Sequence, residues 1–135
     1  MSTKQQTLKA PISFSGKGLH TGVRVTMTIK PAAEDHGIVF RRIDLEGAPT
    51  VPALCEYVVD TSRGTTVEKD GVRVATIEHV MSALWTLGVD NAEIDIDAAE
   101  TPIMDGSAKE YAERIVETGL TDQDSERRYY HLSLI

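Results

Sequence analysis

Glu78 and His79 stand side by side where a strand-like Val72-Arg73-Val74-Ala75 runs into an amphipathic stretch over residues 80–88. A carboxylate and an imidazole placed together can divide the work of metal-assisted hydrolysis. The imidazole holds a Lewis-acid metal, and the carboxylate accepts a proton from the attacking water. A catalytic zinc takes about three protein ligands, so one histidine is an incomplete set. On spacing alone, an isolated Glu-His at a helix head also reads as an ordinary half-exposed pair, and both readings stay open at this point.

The elements around the pair are legible from periodicity. Leu8, Ala10, Ile12 and Phe14 alternate with more polar neighbours as on one half-buried strand. Gly16-Lys17-Gly18 and Thr21-Gly22 bracket a turn around Leu19-His20. Residues 23–30 form the clearest strand, with Val23, Val25, Met27 and Ile29 on one face and Pro31 as its stop. Further strands are expected at 38–42, 51–54 and 57–59. Asp70-Gly71, between Thr65-Thr66-Val67 and Val72-Arg73-Val74, predicts a hairpin.

A first helix is expected over residues 77–87, with Thr76 as N-cap, Gly88 as stop, and Ile77, Val80, Met81, Leu84 and Leu87 on its apolar face. Residues 91–97 alternate as a strand with an acidic, solvated face lacking any metal geometry. A second helix follows Asp105, which organises the approach to it. Ser107 and Glu110 have capping-box spacing, Ala108, Tyr111, Ala112, Ile115 and Val116 form the apolar face, and Gly119 ends it. Residues 122–128 read as a polar linker, and 129–135 as the start of a strand. This order predicts an α+β fold, one mixed β-sheet with two α-helices packed on one face. Trp85 and Tyr111 are expected off the sheet-facing side, so the helical layer calls for a further cover.

The 135 residues suffice for one core, and the hydrophobic (41%) and charged (26%) fractions are those of a soluble globular protein. A net charge of −7 argues against nucleic acid or an anionic membrane as the main partner. Cys55 has no second cysteine to pair with and reads as a small apolar residue in or beside a strand. No apolar run approaches the roughly 20 residues of a transmembrane helix, and no signal-peptide pattern is present. A cytoplasmic location is expected.

At Thr76-Ile77-Glu78-His79 and Pro102-Ile103-Met104-Asp105-Gly106-Ser107-Ala108 the chain resembles the N-terminal half of the zinc-dependent UDP-3-O-acyl-N-acetylglucosamine deacetylases of lipid A biosynthesis. Gly18-Leu19-His20-Thr21-Gly22, Arg42-Ile43-Asp44-Leu45 and Gly88-Val89-Asp90-Asn91 match in the same order over essentially the whole chain. The resemblance implies that His79 is one of three zinc ligands and Glu78 the general base in hydrolysis of the N-acetyl group to acetate and an amine. It implies the first half of a two-domain β-α-α-β sandwich, residues 1–121 forming the domain and 122–135 a linker and the start of a second one. Leu19 and Arg63 fall where family members border the active-site mouth, which gives them a substrate-binding role. Arg63 would meet an anionic part of the nucleotide sugar.

The family's remaining zinc ligands lie in a His-Lys-x-x-x-Asp helix of the second domain, and no such motif is present here. His20, His36 and His131 read as structural or exposed rather than as ligands. The expectation is therefore a chain that supplies one zinc ligand of three, is inactive by itself, and partners UDP-3-O-acyl-N-acetylglucosamine only together with the missing C-terminal domain. Without that domain the helical layer is expected to self-associate. Ser62-Arg63-Gly64-Thr65-Thr66 also resembles versions fused to a hydroxyacyl-carrier-protein dehydratase. The alternative is a stand-alone, non-catalytic binding or regulatory module of the same fold.

Overall fold

Alternating apolar and polar residues build most of the molecule, which is described over residues 3–127 by a computed structural model. Five strands come first: β1 (Lys4–Leu8), β2 (Ile12–Lys17), β3 (Arg24–Pro31), β4 (Ile38–Arg42) and β5 (Thr50–Pro52). A 3₁₀ turn at Cys55–Tyr57 leads into β6 (Val58–Asp60), β7 (Thr66–Lys69) and β8 (Val72–Val74). Then follow α1 (Glu78–Leu87), β9 (Ala92–Ile96), α2 (Lys109–Thr118) and β10 (Leu120–Glu126).

The main sheet has the order β2-β3-β9-β4-β5, antiparallel throughout except where β9 runs parallel to β4. Its inner face carries Phe14, Met27, Ile29, Phe40, Val51, Ile94 and Ile96, all at most 1% exposed. These meet Val80, Leu84, Tyr111 and Ile115 of the two helices in one apolar core. The opposite face is polar. There Lys30 pairs with Glu93 and Asp95, Arg41 pairs with Asp95, and Ser13 and Thr28 share a hydrogen bond. The β9 carboxylates Glu93 and Asp95 thus take part in cross-strand ion pairs.

The α+β class is as expected, but the strands fall into more than the one sheet foreseen. β6-β7-β8 form a separate three-stranded sheet, and β1 pairs with β10 in a two-stranded one. The alternation of residues 8–14 belongs to two strands, because Pro11 interrupts the ladder and the chain turns between Leu8 and Ile12. Residues 122–126 are strand β10 rather than a linker, while Arg128, His131 and the rest of 128–135 lie outside the described residues. The hairpin at Asp70-Gly71 forms with both residues at positive φ, as a tight primed turn requires.

Both helix stops, Gly88 and Gly119, stand where expected, but neither start does. The N-cap of α1 is Ile77 and that of α2 is Ala108, and neither makes a side-chain cap. Thr76 instead gives its hydroxyl to Glu100, and Ser107 accepts from the Lys109 amide while Asp105 accepts from both the Ser107 amide and hydroxyl. Asp105 therefore does organise the turn before α2, through Ser107. Tyr111 is not off the core: it is buried, edge-on to Phe14, with its hydroxyl on the Pro102 carbonyl. Val116, placed on the apolar face of α2, points outward and is 66% exposed, as is Trp85 at 63%. Cys55 is exposed in the 3₁₀ turn rather than packed against a strand.

Candidate active site

The β7–β8 hairpin delivers the chain to α1 through Ala75 and Thr76. Ala75 bridges to Glu100, and Thr76 is held at φ +60°, an unusual position for a β-branched residue. Two bonds fix it there: Thr76 Oγ1 donates to Glu100 Oε2 at 2.6 Å, and Thr101 Oγ1 donates to the Thr76 carbonyl at 2.5 Å. Ile77, fully buried, then anchors the first turn of α1, and its amide donates to the Thr65 carbonyl at 3.1 Å. Together these place Glu78 in the first turn, where the helix dipole favours a negative charge.

The Glu78 carboxylate is half-buried and oriented by the Thr65 amide, which donates to Oε1 at 2.9 Å. Gly64 lies against it. A Cβ there would stand 2.8 Å from Glu78 Oε2, and Gly64 itself adopts φ +122°. The neighbouring His79 imidazole is half-buried and engages no hydrogen bond or ion pair among the described residues. Its nitrogens remain available for a ligand.

Leu19 and Arg63, the two residues expected to meet substrate, flank the same hydrogen-bond network. Leu19 is 56% exposed on the turn between β2 and β3. Its neighbour His20 donates from Nε2 to the Arg63 carbonyl at 2.8 Å. A carbonyl can only accept, so this contact places a proton on Nε2. Arg63 itself is exposed in the loop that orients Glu78. His36 is exposed on the turn before β4.

Sequence reasoning passed over Glu100. It is 1% exposed, and its oxygens accept from the His20 amide (3.1 Å to each), the Thr21 amide (2.9 Å) and the Thr76 hydroxyl. Burial pushes its pKa up, but the Thr76 hydroxyl and the Thr21 and His20 amides outweigh this, and the carboxyl sits below its ordinary value. A glutamate following three alternating acidic positions gave no sign of being internal.

Among the described residues no group of three or more His, Cys, Asp or Glu side chains could hold a metal ion. No helix among them is long and apolar enough to cross a membrane. The arrangement is one oriented carboxylate beside one uncommitted imidazole, with an exposed apolar and an exposed cationic side chain nearby in the network.

A sequence model of the family described as UDP-3-O-acyl N-acetylglycosamine deacetylase matches residues 5–134. The chain is 51% identical over 124 residues to a UDP-3-O-acyl-N-acetylglucosamine deacetylase of Myxococcus xanthus, covering 92% of this chain and 40% of that protein. It is 48% identical over 127 residues to a "Bifunctional enzyme LpxC/FabZ" of Bacteroides thetaiotaomicron, covering 94% of this chain and 28% of that protein. A deacetylase of Nitrosococcus oceani is 48% identical over 126 residues, 93% of this chain and 41% of its own length. The chain thus spans well under half the length of these relatives.

Proposed function

Because the chain belongs to the UDP-3-O-acyl N-acetylglycosamine deacetylase family, we propose that it is the N-terminal domain of an enzyme that hydrolyses the N-acetyl group of UDP-3-O-acyl-N-acetylglucosamine. The observation that carries this reading is the Glu78 carboxylate, aimed by the Thr65 amide and set beside a His79 imidazole that has no hydrogen-bond or ion-pair partner among the described residues.

In hydrolysis, water adds to the acetyl carbonyl, the carbon–nitrogen bond breaks, and acetate and the free amine leave. Glu78 takes the proton from water and returns it to the departing nitrogen. The Thr65 amide holds the carboxylate in one orientation, so no reorganisation is needed at the moment of transfer. Zinc, when bound, supplies the Lewis acidity that polarises the carbonyl and acidifies water. His79 would give it one ligand, and the remaining ligands come from outside the described residues.

Leu19 offers an apolar contact to the substrate at the mouth, and Arg63 a cation to its anionic part. The parent carries a second domain over the helical layer, on which Trp85 and Val116 are exposed, and works in the cytoplasm. A bifunctional fusion, as in the Bacteroides relative named "Bifunctional enzyme LpxC/FabZ", is one form the parent can take.

The test uses the enzyme at the length of its relatives. His79→Ala loses zinc, measured by metal analysis, and activity with it. Glu78→Gln keeps zinc and loses turnover by about 10²–10⁴-fold. Residues 1–135 alone bind no stoichiometric zinc and do not deacetylate. Tight one-to-one zinc binding with turnover by this chain alone would overturn the proposal.

A further inference from the structure

We propose that Glu100 is a positioning residue for this reaction: its buried carboxylate closes a hydrogen-bonded ring that couples the Leu19–Thr21 turn and the Arg63 loop to Glu78. The inference rests on the deacetylase reading above.

The ring is continuous. Glu100 accepts from the amides of His20 and Thr21, and the His20 imidazole donates to the Arg63 carbonyl. Two residues on, the Thr65 amide donates to Glu78 and the Thr65 carbonyl accepts from Ile77. Ile77 follows Thr76, whose hydroxyl returns to Glu100. The backbone around Glu100 is itself fixed, since the Ala75 amide donates to the Ala99 carbonyl at 2.7 Å and the Thr101 amide to the Ala75 carbonyl at 3.2 Å.

Packing alone does not call for a carboxylate here. No Lys or Arg of the described residues forms an ion pair with Glu100, so its charge is met by neutral donors in a water-excluded place. A charge buried without a counter-ion is costly, and two consecutive amides with a hydroxyl offset that cost only in one geometry. That requirement makes the charge a gauge of position: the turn and the head of α1 are registered to each other through the same carboxylate. Gly18 completes the fit, because a Cβ there would stand 2.2 Å from Glu100 Oε1.

Glu100 is buried, so it acts through others. Glu100 meets the turn through the two amides of His20 and Thr21 but meets Thr76 through one hydroxyl, and Thr76 is also held by Thr101. Loss of the charge therefore frees Leu19 and His20 first, and through Arg63 and Thr65 loosens Glu78 second.

The experiment is Glu100→Gln in the zinc-loaded enzyme at full length, with kcat and KM measured per zinc-loaded molecule. We expect unchanged zinc content, a fall in kcat/KM of about 10- to 100-fold, and the larger share of it as a raised KM. Gly18→Ala, which keeps the Glu100 charge but drives a methyl against its carboxylate and parts it from the turn, gives the same KM-weighted pattern, whereas Thr76→Val gives a smaller loss weighted to kcat. In the same protein, with threonine and histidine isotopically labelled, the Thr65 amide and His20 ring resonances shift on Glu100→Gln. A folded, zinc-loaded Glu100→Gln enzyme with both constants within about twofold of the parent, or with those resonances unmoved, overturns the proposal. Should Glu100→Gln not fold, Gly18→Ala and Thr76→Val are judged by the same two criteria. A parent without deacetylase turnover would refute the deacetylase reading instead, and the resonances would still decide whether the ring couples the turn to Glu78.

Discussion

Gly64→Ala isolates the contact that aims Glu78. Gly64 has φ +122°, and holding an L-residue in that region costs about 1–3 kcal/mol. The new methyl would also stand 2.8 Å from Glu78 Oε2 and 3.1 Å from Oε1. The carboxylate must swing away and give up the 2.9 Å bond from the Thr65 amide. Hydrogen bonds to charged groups contribute about 1.5–3 kcal/mol, and half-burial of Glu78 favours the lower end. The sum is about 2.5–4.5 kcal/mol of lost stability. Glu78→Ala loses the same bond without the strain. Both single variants thus lose one shared interaction, and the double variant loses it only once. Urea denaturation of the four proteins of this cycle should find the double variant's loss of stability about 1.5 kcal/mol smaller than the sum of the single losses. Additivity within about 0.5 kcal/mol would refute the reasoning.

Leu84→Ala removes a fully buried side chain between α1 and the sheet and should lower stability by about 2–5 kcal/mol, read as an earlier denaturant midpoint at unchanged slope. Glu100 titrates below its ordinary value in the folded chain, so the unfolded chain binds its proton more readily on acidification. Its contribution is complete above the ordinary carboxylate pKa and is lost as pH falls through the lowered folded value; a Glu100→Gln variant should show a flatter acid limb, and an identical limb would contradict this. Exposure of Trp85 and Val116 on the helical layer should make residues 1–135 associate as concentration rises, with Trp85→Glu reversing it. Light scattering that finds a strict monomer at high concentration would count against the association.

What was legible in the residues is what periodicity and turn chemistry encode. The face Ile77-Val80-Met81-Leu84 is buried as its spacing demands, and Asp70-Gly71 turns the hairpin it announces. What stayed hidden is polar. β10 carries Thr121, Asp122, Gln123, Asp124, Ser125 and Glu126, a composition that reads as solvated linker. It docks because Asn91, 2% exposed, donates from Nδ2 to both Gln5 and Gln123, while Gln123 reaches the Ala32 carbonyl. Hydrophobic pattern has no symbol for a buried amide cluster of this kind. The helix starts failed for other reasons: Thr76 gives its hydroxyl to the distant Glu100, and Ser107 is engaged in a local turn with Asp105 and the Lys109 amide. The candidate site divided the same way. Glu78, His79, Leu19 and Arg63 were picked out by motif, but Glu100, Thr65 and Gly64, which join them, are meaningful only through distances across the fold.

The parallel pairing of β9 with β4 has a consequence for how this chain comes into being. β9 is the middle strand of the main sheet, yet it is synthesised after both of its neighbours and after the whole excursion from Arg42 to Ala92. Until it emerges from the ribosome, β3 and β4 each present a bare inner edge of unpaired amides and carbonyls beside an apolar face. Such edges invite pairing with other nascent chains. Any translation product ending before residue 92 would keep both of them open, and is expected to precipitate or be captured by chaperones rather than to persist as a smaller domain.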